Sequence, residues 1–153
     1  MNHVDRVIGH AEQHCKAHGA RLTVKRKQVL AGLIQSKKAL SAYELIDVCK
    51  QQSGESMPAM SVYRILEFLE DEHLVHKLSL INKYVACSHI SCSHAHAVPQ
   101  FLICKRCSKV KEIDIKPVTI NDLRASVNEA GFELINTQLE MNCLCEGCIS
   151  QAA

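Results

Sequence analysis

The chain has no apolar run approaching the roughly 18 residues that a bilayer-spanning helix needs, so we predict no membrane span. Its first residues, MNHVDRVIGHAEQH, lack the apolar central region of a secretory signal, and we expect a cytoplasmic protein. The sequence also lacks an H-E-x-x-H zinc motif, a nucleophile elbow and a Gly-rich phosphate loop. His10-Ala-Glu12 resembles the H-x-E of zinc deaminases, but no P-C-x-x-C follows at a suitable distance. We therefore predict that the protein is not an enzyme.

A strong excess of charge is missing too, because the formal net charge of the 153 residues is only +2. Nucleic-acid binding must then be argued from motifs rather than from total charge. The charge is unevenly distributed: residues 1–84 hold 12 Lys/Arg against 9 Asp/Glu, whereas residues 85–153 hold 6 against 7. The sequence therefore divides into a mildly basic half and a second half of different chemistry.

Cysteine is abundant, with nine residues in the chain and seven of them after residue 84. In a reducing cytosol, this number indicates metal or redox chemistry rather than a disulfide framework. Four of these cysteines occur as two pairs with C-x-x-C spacing. They could be ordinary buried or disulfide-linked residues, but the repeated spacing favours a structural zinc ion held by four sulfurs. The four cysteines form two C-x-x-C motifs: Cys104, Cys107, Cys145 and Cys148.

The basic half has the hydrophobic periodicity of four helices followed by two short strands. Thr23 is predicted to cap the second helix, and Ser41-x-x-Glu44 is a capping box that opens the third. Pro58 suits the first turn of the fourth. Helices followed by a small hairpin are typical of a winged helix-turn-helix, in which the fourth helix reads DNA. We predict that Cys15 and Cys49 are core residues.

One face of the fourth helix is apolar, and this turns Tyr63 and Arg64 outward together with Met60 and Glu67. An exposed Tyr-Arg pair near a helix N-terminus is suited to phosphates and base edges in a major groove. A solvated helix face is the alternative interpretation.

The hairpin predicts a metal-ligand pair. The two strands are expected at 74–80 and 83–87, and a turn centred between Ile81 and Asn82 places His76 directly opposite Cys87. An imidazole and a thiolate so placed are ligands for a borderline-soft metal ion. Further donors follow in a predicted loop, namely His89, Cys92, His94 and His96.

The second half is expected to form a small α/β unit. We predict a strand at 109–115, an amphipathic helix at 119–130 and a strand at 132–141. So few elements make a small core, and we expect a zinc ion and a partner chain to compensate.

Taken together, these motifs resemble those of the ferric uptake regulator (Fur) superfamily, and most closely those of its zinc uptake branch. The matching segments are Arg21-Leu-Thr-Val-Lys-Arg26, Ser41-Ala-Tyr-Glu-Leu-Ile46, Ser61-Val-Tyr-Arg64, Leu74-Val-His-Lys77, Tyr84-Val-Ala-Cys87, Phe101-Leu-Ile-Cys-Lys-Arg-Cys107 with Val110-Lys-Glu112, and Cys145-x-x-Cys148. The chain departs from the family where Val24-Lys25 replaces a common Pro-Gln. Cys92 and Cys143 are additional thiols that offer alternative ligands.

The resemblance implies an α+β protein with a winged-helix domain at 1–84, a hinge and metal-binding loop at 85–98, and a dimerisation and zinc-binding domain at 99–153. It implies a homodimeric repressor of double-stranded operator DNA, with no membrane partner and no small-molecule substrate other than a metal ion. Two zinc ions per monomer are expected. The four cysteines of the C-x-x-C motifs would hold the structural ion, and the sensory ligands would be His76, Cys87, Glu112 and His96, with His94 as the substitute for His96.

The expected DNA contacts are Arg21, Lys25, Tyr43, Tyr63 and Arg64. Two alternatives stay open at this point. One is a member of the same superfamily that senses iron, manganese, nickel or peroxide, and the other is a thiol redox switch.

Overall fold

The structure is a computed structural model that describes residues 2–36, 38–91 and 99–151. The chain divides into two compact units, Met1–Ser93 and His94–Ala153. Each unit is described by itself. The finer division at 84/85 and 98/99 stays a prediction. Within the described ranges, no helix is both long and apolar enough to cross a bilayer.

The first unit has four helices followed by a hairpin, as the periodicity predicts. Its elements in chain order are α1 His3–Ala17, α2 Val24–Gln35, α3 Ala42–Ser53, α4 Ala59–Asp71, β1 Val75–Leu78 and β2 Lys83–Ala86. A single antiparallel bridge between Leu40 and Tyr84 adds a third short chain segment beside β2. The winged-helix order is therefore present.

The predicted helix caps are confirmed. The Thr23 side chain accepts a hydrogen bond from the Arg26 N–H at the start of α2. At the start of α3, the Ser41 hydroxyl accepts from the Glu44 N–H and the Glu44 carboxylate accepts from the Ser41 N–H, each at 3.1 Å. These reciprocal bonds satisfy donors that a helix leaves without intrahelical partners.

The core of the first unit lies between the helices. Val62, Leu66 and Leu69 of α4 are fully buried in it. Cys15 and Cys49 are also buried, and burial raises the pKa of both thiols. Neutral buried thiols behave as small apolar residues, which confirms their prediction as core residues.

The predicted register of the hairpin is wrong by two residues. His76 pairs with Val85, not with Cys87, and Leu78 pairs with Lys83. The Cys87 N–H instead donates to the Leu74 carbonyl oxygen at 2.9 Å. The strands are joined by the four residues 79–82, with Asn82 at a positive φ of 51°. The predicted turn contained only two residues, 81 and 82. The observed loop of four residues begins earlier in the chain, so the centre of the hairpin lies closer to β1 and the pairing changes.

The second unit is built on a three-stranded sheet. Its elements are β3 Gln100–Cys104, β4 Val110–Ile113, α5 Pro117–Glu129, β5 Glu140–Cys143 and α6 Glu146–Gln151. The strand order is β4-β3-β5, with β4 antiparallel and β5 parallel to β3. Helices and small sheets together confirm the predicted α+β class.

The strand predicted at 132–141 is displaced in the structure. β5 begins only at Glu140, and Phe132, which we placed in the strand, is 72% exposed. The segment just before β5 is held by a side chain and by one backbone hydrogen bond, from the Phe101 N–H of β3 to the Leu139 carbonyl oxygen at 2.9 Å. Gln100, with no exposed surface, donates from Nε2 to the Thr137 carbonyl at 2.7 Å and accepts from the Leu139 N–H at 2.6 Å.

Candidate metal centres and nucleic-acid surface

The parallel pairing of β3 and β5 brings the two C-x-x-C motifs to one edge of the sheet. Parallel strands end on the same side, and Cys104 is the last residue of β3. Cys107 lies in the turn that follows, whereas Cys145 follows β5 and Cys148 lies on α6. The four sulfur atoms lie within 4.8 Å of one another. The structure therefore brings together all four predicted structural ligands.

The spacing of these sulfurs fits a tetrahedral zinc ion. Cys107 Sγ and Cys145 Sγ are 3.6 Å apart. Zn–S bonds of about 2.3 Å at tetrahedral angles place neighbouring sulfurs about 3.8 Å apart. The first turn is tightened by Ser108, whose φ is 64° and whose N–H donates to the Cys104 carbonyl oxygen at 2.9 Å.

Backbone donors make part of this cluster anionic. The N–H groups of Cys107 and Cys145 donate to the Cys104 sulfur and lower the pKa of that thiol to about 5. The pKa of Cys145 is lowered mainly by the Cys148 N–H. In contrast, interaction with the Cys145 sulfur raises the pKa of Cys148 to about 12. The Cys104 thiolate is therefore favoured before a metal ion binds, and protons still held by the other thiols would be released as it binds.

The other predicted sulfur and imidazole donors of this half have different positions. Cys143 is half-buried opposite Cys104 in the β3–β5 register and is not one of the clustered four. Cys92, His94 and His96 lie outside the described residues.

His76 and Cys87 come together in the first unit despite the corrected register. A shift of two residues keeps both on one face of the hairpin as a diagonal pair. Their ligand atoms lie within 4.8 Å of each other. The His89 N–H donates to Cys87 Sγ at 3.4 Å. Glu112, the third predicted ligand, lies half-buried on β4 of the second unit, opposite Phe101.

The residues predicted to contact DNA are all exposed on the first unit. Tyr63 is 40% and Tyr43 66% exposed, and Arg64, Arg21 and Lys25 are exposed as well. Met60 and Glu67 also face solvent, so the predicted outward face of α4 is confirmed as an exposed face. Exposure leaves its role in DNA binding as a prediction.

Two helix N-termini on this unit are suited to anions. The first turn of α2 contains Lys25, Arg26 and Lys27 and no acidic residue. α4 begins after Pro58 without a capping side chain among the described residues. Basic residues in a first turn are repelled by the positive end of the helix dipole, and an uncapped terminus leaves N–H groups without a side-chain partner. A phosphate group would offset the repulsion at the first terminus and accept hydrogen bonds from the N–H groups at the second.

Arg26 has a structural role within this basic turn. Its guanidinium stacks over the Phe68 ring at 3.6 Å from the centroid and donates to the Arg21 carbonyl at 2.7 Å. These contacts join the start of α2 to α4. They leave Arg21 and Lys25 as the predicted phosphate contacts of this segment.

A third group of possible metal ligands was missed by sequence reasoning. His14, His18 and Glu72 of the first unit place their ligand atoms within 4.8 Å of one another. The i, i+4 spacing of the two histidines on α1 was a visible signal, but the carboxylate comes from an element more than 50 residues away.

Comparison with known proteins identifies the family. A sequence profile of the ferric uptake regulator family matches residues 17–142. The zinc uptake regulation protein of Escherichia coli (strain K12) is 33% identical over 147 residues, covering 96% of this chain and 84% of that protein.

Two solved structures agree. A zinc uptake regulator complexed with zinc and DNA superposes with a TM-score of 0.86 at 28% identity over the whole of both chains. The holo form of XcZur has a TM-score of 0.77 at 35% identity, over 96% of this chain and 99% of its own. The chain therefore belongs to the ferric uptake regulator family.

Proposed function

We propose that this protein is a zinc-responsive transcriptional repressor that binds palindromic operator DNA as a homodimer and controls zinc uptake genes. It acts in the cytoplasm and catalyses no reaction. The observation that carries the proposal is the imidazole–thiolate pair of His76 and Cys87, on the hairpin that directly follows α4. A thiolate ligand favours zinc over the harder ions of iron and manganese. The similarity to two zinc uptake regulators supports the same assignment.

The four-sulfur cluster is proposed as the structural zinc site. Its sulfur spacing fits the ion, and four protein ligands leave no position for a substrate water. This site would hold the ends of β3 and β5 together and keep the second unit folded at all physiological zinc levels.

The sensory site is proposed to contain His76, Cys87, Glu112 and His96, with His94 as the substitute for His96. This gives two zinc ions per monomer. The ligand set is drawn from both units of the chain, so occupancy would restrict the orientations available to the DNA-binding unit. Metal raises DNA affinity only to the extent that it binds the DNA-competent form more tightly. A thousandfold effect requires a coupling free energy of about 4 kcal/mol.

DNA recognition is assigned to the exposed faces of α2, α3 and α4 and to the segment that precedes α2. Tyr63 and Arg64 would reach base edges in the major groove, and Arg21, Lys25 and Tyr43 would contact the backbone. A dimer places its two reading helices in successive major grooves about 34 Å apart, which accounts for a palindromic operator.

The decisive experiment measures operator binding of the purified dimer across a series of buffered free zinc concentrations, with zinc counted per monomer at each point. We expect two zinc ions in the DNA-binding form and one after gentle chelation. Cys87→Ser should abolish the response to zinc while retaining the structural ion. Cys143→Ser is the matched control, because this half-buried thiol belongs to neither proposed ligand set.

Three results would contradict the proposal. Zinc-dependent operator binding that survives Cys87→Ser would exclude the assigned sensory site. Operator binding that responds to iron, manganese or nickel, and not to zinc, would move the protein to another branch of its family. Peroxide-induced zinc release with reversible loss of DNA binding would instead indicate a thiol redox switch.

A further inference from the structure

A cluster outside both proposed zinc sites has the donor atoms of a metal centre. His14 lies near the end of α1 and His18 is its C-cap, so the two side chains are one helical turn apart on the same face. Their rings meet edge to face, with centroids 4.4 Å apart. Glu72, the C-cap of α4, points its carboxylate at both rings. α1 and the end of the proposed reading helix meet at this point.

Two ligand-to-ligand distances within the cluster are close to those of a tetrahedral coordination sphere. Glu72 Oε2 is 3.7 Å from His14 Nε2 and 3.1 Å from His18 Nδ1. With metal–nitrogen and metal–oxygen bonds of about 2.0–2.1 Å, neighbouring ligand atoms in a tetrahedron are about 3.3–3.4 Å apart. The two observed distances bracket this value, so an ion requires only small side-chain shifts. His14 Nε2–H donates to the Glu72 carbonyl oxygen at 2.8 Å, so an ion bound through this nitrogen would replace that hydrogen bond and its proton.

The donor set also indicates the class of ion and the openness of the site. Two imidazole nitrogens and one carboxylate oxygen suit zinc and the neighbouring ions of cobalt, nickel and copper. The Glu72 side chain is only 16% exposed, but His14 is 37% and His18 54% exposed. Three protein ligands with access to water leave a coordination position open, unlike the four-sulfur cluster. The bound ion would therefore exchange more readily.

We propose that His14, His18 and Glu72 form a third divalent-metal site, which joins α1 to the end of α4. The ion binds through His14 Nε2 and His18 Nδ1, so the two imidazoles use different ring nitrogens. The site lies wholly within the first unit and shares no ligand with the zinc sites proposed above.

The test is a titration of the zinc-loaded dimer with further Zn²⁺, followed by calorimetry and by ¹⁵N NMR of the histidine rings. We expect one additional ion per monomer, with coordination shifts at His14 Nε2 and His18 Nδ1. Glu72→Gln keeps the size of the side chain and His18→Asn keeps a hydrogen-bonding group, yet each should weaken this event by roughly 10–100-fold or more. His3→Ala, at the opposite end of α1, is the control and should bind the ion as the parent chain does.

Binding that is unchanged in both Glu72→Gln and His18→Asn would overturn the proposal, as would the absence of any additional ion in the parent chain. In either case the cluster is an ordinary polar contact between α1 and α4. The outcome is independent of the sensory site, because Cys87→Ser should lose the zinc response of DNA binding and retain this third ion.

Discussion

We predict that the buried amide of Gln100 stabilises both the fold of the second unit and its proposed structural zinc site. The side chain has no exposed surface and makes two short hydrogen bonds, to the Thr137 carbonyl and from the Leu139 N–H. Gln100→Met removes both bonds while nearly keeping the length of the side chain. Each of the two backbone groups left without a partner costs about 1–3 kcal/mol, so we expect a loss of about 2–6 kcal/mol in the free energy of unfolding.

The measurement is urea unfolding of the zinc-loaded dimer at one fixed protein concentration, since the stability of a dimer depends on concentration. Lys111→Met, an exposed change on the adjacent strand β4, is the control and should alter stability by less than about 0.5 kcal/mol. The segment that Gln100 holds leads into β5 and Cys145. We therefore also expect faster release of the structural zinc to a chelator.

A loss no larger than that of the control would refute this reasoning. It would mean that water replaces the two bonds and that the segment before β5 is held by other contacts. A stability loss without faster zinc release would retain the energetic argument but separate Gln100 from the metal centre.

Three further predictions test other parts of the molecule. Arg64→Ala should reduce the preference for operator over random DNA by about 1–3 kcal/mol. Lys25→Ala should instead weaken binding to operator and random DNA equally and lower the slope of log affinity against log salt concentration by about one. Binding assays on both DNAs at several salt concentrations distinguish the two effects. Cys148→Ser should remove one tightly held zinc ion per monomer by metal analysis and destabilise the second unit, because structural zinc contributes up to about 10–16 kcal/mol of binding free energy. The Ser41 N–H and then Lys83 lower the pKa of Glu44, so its contribution to stability is present above the ordinary pKa of Glu and is lost as the pH falls through the lowered value. Glu44→Gln should remove that part of the acid limb in a stability–pH profile.

Features encoded locally were predictable from the sequence. The caps at Thr23 and Ser41 depend on side chains three residues from their donors, and the buried stripe of α4 depends on helical period alone. The proximity of the two C-x-x-C motifs was predictable because a tetrahedral zinc ion requires four ligands. The parallel pairing of β3 and β5, which brings the motifs together, was not indicated by any local pattern.

Features that depend on distant partners were not predictable in the same way. The register of the hairpin was wrong because the number of loop residues cannot be read from strand composition. The strand predicted at 132–141 was displaced because, among the described residues, none of the positions 132–139 belongs to a strand. The Gln100 side chain bonds instead to the backbone of Thr137 and Leu139, which alternation along the segment does not reveal. The His14–His18–Glu72 cluster needed the fold, since its carboxylate arrives from the far end of α4.

The two C-x-x-C turns enclose most of the second unit, with Cys107 and Cys145 separated by 38 positions in the chain. Helix α5 lies inside this span and has no buried residue of its own, so intrachain packing does little to hold it. An ion bound by the four sulfurs would hold together the two ends of the chain segment between Cys107 and Cys145. Zinc bound by the four sulfurs would therefore limit the positions open to α5 without contacting this helix.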